Sequence, residues 1–282
     1  RVTFADDIVG IVDVTYIQRL HHRPLTLDIY TTADALAGAR RPLIIYVHGG
    51  AWVTGTPRQM PSVLAMLAAQ GFVVASIEYR LDGEQHFPNA IHDVKDAIRF
   101  LRANAREYGV DPDHVGIWGD SAGGQLAALA TLSCGAEAVA PPSREGMETI
   151  SDCVQAGVSW YGVHDFSTVP TPPGNTGPAP YLGCAEFRCP AEVMARASPV
   201  TYVDRSDPPM LLIHGLADTL VAVSQTEELE ARLRTAGADV EAIYIADVDH
   251  GFRGMTPEIT RSARNQALNA TLRFFQMRLV IH

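Results

Sequence analysis

The pentapeptide Gly119-Asp120-Ser121-Ala122-Gly123 constrains this chain more than any other stretch. Before it lies an apolar run, Val115-Gly116-Ile117-Trp118, short enough for one buried strand. After it, Gly124 to Ala130 is rich in alanine and leucine and reads as helix. A serine on so tight a strand-to-helix turn is a candidate nucleophile. The turn strains the serine backbone, and a Cβ at position 119 or 123 would collide with neighbouring backbone. In return Ser121 Oγ stands clear of the sheet, and the N–H of Ala122 points to where a reacting carbonyl oxygen would sit. Five residues match such a pattern by chance, so the strand before and the helix after carry the weight.

The rest of the chain supplies the frame this turn needs. Residues 8–17 and 24–30 alternate apolar and polar positions and read as two antiparallel strands joined by a polar turn. Residues 33–41 read as a loop. Runs at 43–47, 72–77, 115–118, 153–160, 210–214 and 240–245 read as strands, and the fully apolar 43–47 is what a sheet covered on both faces requires. Helical patterns fall between them, at 59–70, 89–105, 121–133 and 224–236, with a long last helix over 258–279. In that last helix Leu268, Leu272, Phe275 and Leu279 form the expected buried stripe. Residues 165–180 hold five prolines and two glycines and are expected as an extended loop. Alternation of strand and helix from residue 43 onward implies an α/β fold, a mainly parallel sheet with helices on both faces. At 282 residues one such domain, 1–282, accounts for the whole sequence.

Composition narrows the partners. A net charge of −10 repels phosphate backbones and anionic lipid, which argues against nucleic-acid and membrane-surface binding. No apolar stretch approaches the roughly 18–20 residues a membrane span needs. Four cysteines remain to be placed. Pairing Cys184 with Cys189 and Cys134 with Cys153 would staple two loops, which suits an oxidising, secreted or periplasmic setting; the alternatives are free thiols and a cytoplasmic location. Neither C-x-x-C spacing nor a nearby histidine supports a metal site, and no cofactor is expected.

A serine hydroxyl is a poor nucleophile unless a base takes its proton and a carboxylate orients that base. In a parallel α/β sheet such groups collect at the carboxyl ends of strands, so each candidate must follow one. Among ten histidines, His250 follows strand 240–245 in Asp249-His250-Gly251-Phe252. His214 also ends a strand but reads as a loop anchor. Asp218 follows strand 210–214; Asp247 and Asp249 are too close to His250 in sequence to orient it, and Asp120 is expected to hold its own turn. The order Ser121, Asp218, His250 suits this type of sheet. The segment His48-Gly49-Gly50-Ala51-Trp52 follows strand 43–47, and its glycines let backbone N–H groups turn inward. Gly50, Ala51 and Ala122 are therefore candidate donors to a negative oxygen, worth about 3–4 kcal/mol each, with His48 as a brace.

By these stretches the sequence resembles the α/β-hydrolase carboxylesterases. HGGAW (48–52), EYRL (78–81), FPNAIHDVKDAIRFL (87–101), GDSAGG (119–124), IHGLADTLV (213–221) and DHGF (249–252) occur in family order. They are similar to those of hormone-sensitive-lipase-like bacterial esterases and of the cap-less acetyl or feruloyl esterases of the BD-FAE type. The resemblance implies an α/β-hydrolase fold of about eight strands and a serine esterase. It implies Ser121 as nucleophile, His250 as general base, Asp218 as its orienting carboxylate and Gly50, Ala51 and Ala122 as oxyanion donors. Ala51 departs from the lipase-like group, which usually has a third glycine there. A first strand beginning near residue 8 leaves no room for that group's N-terminal cap. The site is then expected to be open, walled by Trp52, Trp160, Tyr161 and Tyr181 and by the 165–190 stretch. Short acyl or small aromatic esters, including acetyl or feruloyl groups on plant polysaccharide, are the expected substrates. Amide hydrolysis on the same scaffold and a catalytically inactive binding module are the competing readings.

Overall fold

In the computed structural model, which describes residues 2–3, 8–169, 179–184 and 189–280, the apolar runs become the middle of one nine-stranded sheet. Its strands are β1 (Val2–Thr3), β2 (Ile8–Ile17), β3 (Leu25–Thr32), β4 (Arg41–Val47), β5 (Val73–Ile77), β6 (Val110–Asp120), β7 (Ala156–Trp160), β8 (Met210–Gly215) and β9 (Val240–Ile245). They lie in the order β1-β2-β3-β5-β4-β6-β7-β8-β9. From β5 to β9 every neighbouring pair is parallel, whereas β1, β2 and β3 form an antiparallel margin. The two-residue β1 is the strand added to the eight the sequence implies.

Among the described residues eight α-helices accompany the sheet: α1 (Ala33–Leu36), α2 (Pro61–Ala69), α3 (Asn89–Ala103), α4 (Ala105–Tyr108), α5 (Ala122–Leu132), α6 (Ala191–Ala197), α7 (Ser224–Ala236) and α8 (Pro257–Leu279). Strand residues alternate between two cores, as the period of two demands. On one face Ile45, Val47 and Ile117 meet Ile91, Val94 and Ile98 of α3 and Leu126 and Leu129 of α5. On the other Ile44, Tyr46 and Trp118 meet Leu64 and Leu67 of α2 and Phe274 and Phe275 of α8. Leu229 and Leu233 of α7 close a third cluster with Met210 and Leu212. α5 is buried along its whole length, which explains why its sequence is apolar on every side.

The chain leaves β4 for β5 on one side and returns to β6 on the other. The sheet order therefore reverses at β4, and a crevice opens where β4 and β6 end. The GDSAG turn and the HGGAW segment sit at those two ends.

Three expectations need adjustment. The 33–41 loop contains α1, and α6 was not visible in the sequence at all. The stripe of α8 is rotated: Ala267, Ala270, Phe274, Phe275 and Leu279 are buried, while Leu268 and Leu272 are only partly covered. Phe275 and Leu279 press against Gly116 of β6, and the buried alanines share that face while the two leucines lie at its flank. The extended loop expected at 165–180 lies largely outside the described residues; its described beginning is one 3₁₀ turn, Phe166–Thr168. Cys134–Cys153 and Cys184–Cys189 are both disulfide-bonded, with Cα atoms 4.9 and 5.1 Å apart. No helix of the described residues is long and apolar enough to cross a membrane.

Candidate active site

Ser121 occupies the single residue between the end of β6 and the start of α5. Its backbone lies at φ +54°, ψ −119°, a region L-residues avoid. The surroundings enforce this strain: a Cβ on Gly123 would fall 2.0 Å from Val47 O, and one on Gly119 2.1 Å from Gly123 O. The Ser121 N–H donates to Trp160 O at 2.9 Å, fixing the turn to β7 and leaving the side chain to face the crevice.

His250 comes from a hairpin formed by β10 (Val248–Asp249) and β11 (Arg253–Gly254), whose three-residue turn takes Gly251 and Phe252 to positive φ. Its Nε2 lies 2.9 Å from Ser121 Oγ and its Nδ1 lies 2.8 Å from Asp218 Oδ2. The carboxylate only accepts, so Nδ1 carries the hydrogen and Nε2 is left to accept from the serine hydroxyl. Burial alone would raise the Asp218 carboxyl. Hydrogen bonds from His214, His250 and the Val221 N–H outweigh it and hold the group below the usual carboxylate range. The side chains of residues 121, 218 and 250 thus form one continuous hydrogen-bonded chain.

Two further residues hold this chain in register. His214 is fully buried; its Nε2 faces both Val221 O at 2.9 Å and Asp218 Oδ2 at 3.3 Å, and its Nδ1 accepts from Thr226 Oγ1 at 2.7 Å. It anchors the Asp218 loop, as the sequence implied, and also touches the carboxylate. Asp249 does not orient the imidazole. Its Oδ1 accepts from the N–H and hydroxyl of Thr219 and from the His250 N–H, so it clamps the aspartate loop to the histidine loop. Nothing in its spacing announces that role, because Thr219 is remote in sequence.

The segment after β4 turns sharply. Gly50, Ala51 and Trp52 all have positive φ, at 125°, 52° and 60°, and a Cβ on Gly50 would meet Thr54 O at 2.1 Å. The carbonyl of Gly50 accepts from the N–H groups of Val53 and Thr54. Among the described residues the N–H groups of Gly50, Ala51 and Ala122 donate to no protein acceptor. Asp120 accepts at Oδ1 from Tyr46 at 2.6 Å and from the Gly49 N–H at 3.2 Å, so it ties this loop to the serine turn; burial raises its carboxyl. His48 stacks on Tyr79 at 4.5 Å, and the Tyr79 hydroxyl donates to His48 O.

The four aromatic candidates divide into two groups. Trp52 stacks on Tyr181 at 4.5 Å and donates from Nε1 to Gln125 Oε1, which brings together residues far apart in the chain. Trp160 packs between Trp118 and Phe252, and its Nε1 donates to Thr271 Oγ1 in α8. Tyr161 stands edge-on to His250 at 4.7 Å and to Phe252 at 4.7 Å. Trp160 and Tyr161 line the same open cleft, on the α2 and α8 side.

A reversing parallel sheet with a strained serine after β6, an aspartate after β8 and a histidine after β9 defines the α/β-hydrolase fold. The BD-FAE family model matches residues 27–233, so the chain belongs to the BD-FAE family. It is 34% identical over 230 residues to Esterase LipQ of Mycobacterium tuberculosis, covering 80% of this chain and 54% of that protein. To Esterase LipC of the same organism it is 34% identical over 262 residues, covering 89% and 59%. The chain thus spans about half the length of the curated relatives it matches. A truncated carbohydrate esterase from gut microbiota superposes with a TM-score of 0.81 at 27% identity, covering 98% of both chains. Esterase 2 of Thermogutta terrifontis superposes at 0.78 with 26% identity, covering 95% and 92%.

Proposed function

We propose that this chain is a serine carboxylesterase. Ser121 Oγ attacks the ester carbonyl carbon while its proton passes to His250 Nε2. Asp218 holds the imidazole in the required tautomer and stabilises the imidazolium. The carbonyl oxygen, now negative, is met by the N–H groups of Gly50, Ala51 and Ala122, and α5 begins there with its positive dipole end. The ester C–O bond breaks, the alcohol leaves with the proton from His250, and the acyl group stays on Ser121. Water, deprotonated by His250, then releases the acid and restores the hydroxyl.

The observation that carries this reading is the unbroken relay from Ser121 through His250 to Asp218, at 2.9 and 2.8 Å. The esterase names of the relatives and of the superposed structures support it. The carbohydrate esterase likeness favours short acyl esters on a glycan, acetyl or feruloyl, as substrate. Both disulfides favour an oxidising compartment, secreted or periplasmic.

The test is a panel of p-nitrophenyl acetate, acetylated and feruloylated oligosaccharides, N-formylkynurenine and peptide anilides, with wild type and Ser121→Ala. Ester turnover that Ser121→Ala abolishes supports the proposal. Wild-type turnover confined to the amides would instead favour an amidase, and no turnover at all a binding module.

A further inference from the structure

A cleft of about 1210 Å³ opens between the start of α2 and the first half of α8. Beneath it lie the buried core aromatics Tyr46, Trp160, Tyr161 and Phe252. Ser121, Asp218 and His250 do not line it, but Asp120 and Gly251, their immediate neighbours, do. The cleft therefore adjoins the catalytic relay and extends away from it.

Three arginines line this cleft: Arg253 from β11, and Arg261 and Arg264 from the first turns of α8. All three are exposed, and among the described residues none forms an ion pair. Other arginines of the chain do so, Arg80 with Asp93, Arg232 with Glu228, and Arg278 of α8 itself with Asp239. Arg264 Nε donates to Gly251 O at 3.2 Å, which leaves its remaining N–H donors free. The acidic residue on the wall is Asp120, and its Oδ1 is already engaged by Tyr46 and Gly49. In a chain of net charge −10 the overall field repels anions, so a local group of uncompensated guanidiniums is what would draw one in.

Guanidinium forks match a carboxylate in two-pronged geometry. We propose that this cleft is a subsite for an acidic sugar, a uronate unit of the glycan whose ester is cleaved next door. The catalytic half of that statement rests on the esterase reading above; the binding half does not.

Calorimetric titration of Ser121→Ala with a galacturonate trimer and a galactose trimer separates the two. The acidic trimer should bind about tenfold more tightly than the neutral one, as expected for a few exposed charge pairs. That advantage should shrink between about 0.02 and 0.5 M salt. Arg253→Gln with Arg261→Gln should remove most of it, while Arg205→Gln, an exposed arginine elsewhere, should not. Equal binding of the two trimers, or a double variant that keeps the preference, would overturn the subsite. Tighter binding of a sulfated trimer than of the galacturonate would overturn the uronate assignment. With acetylated trimers, wild type that hydrolyses p-nitrophenyl acetate yet shows no preference for the acidic trimer overturns this inference and leaves the esterase reading intact. Selective binding of the acidic trimer without any ester turnover would do the reverse.

Discussion

At Asp218 burial and hydrogen bonding pull in opposite directions, and the hydrogen bonds win. The carboxylate therefore stays ionised through mildly acidic conditions. Asp218→Asn tests the tautomer argument. An amide NH₂ facing Nδ1 would force the hydrogen onto Nε2, where the serine proton must go, so kcat should fall by about 10⁴ with the fold retained. A loss below tenfold would contradict the assigned role. Ser121, Asp218 and His250 were legible in the sequence because each sits in a short motif at a strand end. Asp249 and Thr226 were not. Their partners, Thr219 and His214, are brought to them only by the folded loops.

At the scale of elements, the EYRL and FPNAIHDVKDAIRFL stretches look independent in the sequence, yet one ion pair joins them. Arg80 after β5 donates from Nε and Nη2 to both oxygens of Asp93 in α3, and Arg19 reaches the same carboxylate at 3.3 Å. Both Arg80 and Asp93 are buried. Asp93→Ala would leave the Arg80 guanidinium buried without its partner and should cost about 3–5 kcal/mol, read as a lower urea midpoint. A change below about 1 kcal/mol would show that the α3 contact is held by its apolar face alone. That apolar face was readable, since Ile91, Val94, Ile98 and Leu101 recur at helical spacing and all are buried. The face of α8 was not, because alanine carries little hydrophobic signal and Ala263, Ala267 and Ala270 make up much of the buried face. α6 follows a proline in a stretch of mixed polarity, and it is held by tertiary contacts, with Gln125 of α5 donating to Ala197 O.

For the molecule as a whole, the loop after β7 carries a pH dependence of stability. His164 is fully buried, with Nδ1 donating to Gln225 O and Nε2 accepting from Ser159 Oγ. Burial lowers its pKa to about 3, against the ordinary value near 6.5 that the unfolded chain regains. Between those values the unfolded state takes up a proton that the folded state refuses. Stability is therefore full above about pH 6.5 and declines as pH falls, by up to about 1.4 kcal/mol per pH unit from this group. Urea midpoints compared at about pH 7 and pH 4.5 should show that decline, and His164→Gln should make it shallower. An unchanged slope would remove His164 from the account. The mainly parallel sheet covered on both faces was evident from apolar runs alternating with helical patterns, whereas the strand order that opens the crevice at β4 is a property of the assembled sheet. What that crevice is for comes down to Ser121. Wild type treated with paraoxon and digested should carry one diethylphosphate, located by mass spectrometry on the peptide bearing Ser121, and His250→Ala should be labelled far more slowly. A label on any other residue, or none while ester hydrolysis persists, would contradict the central claim.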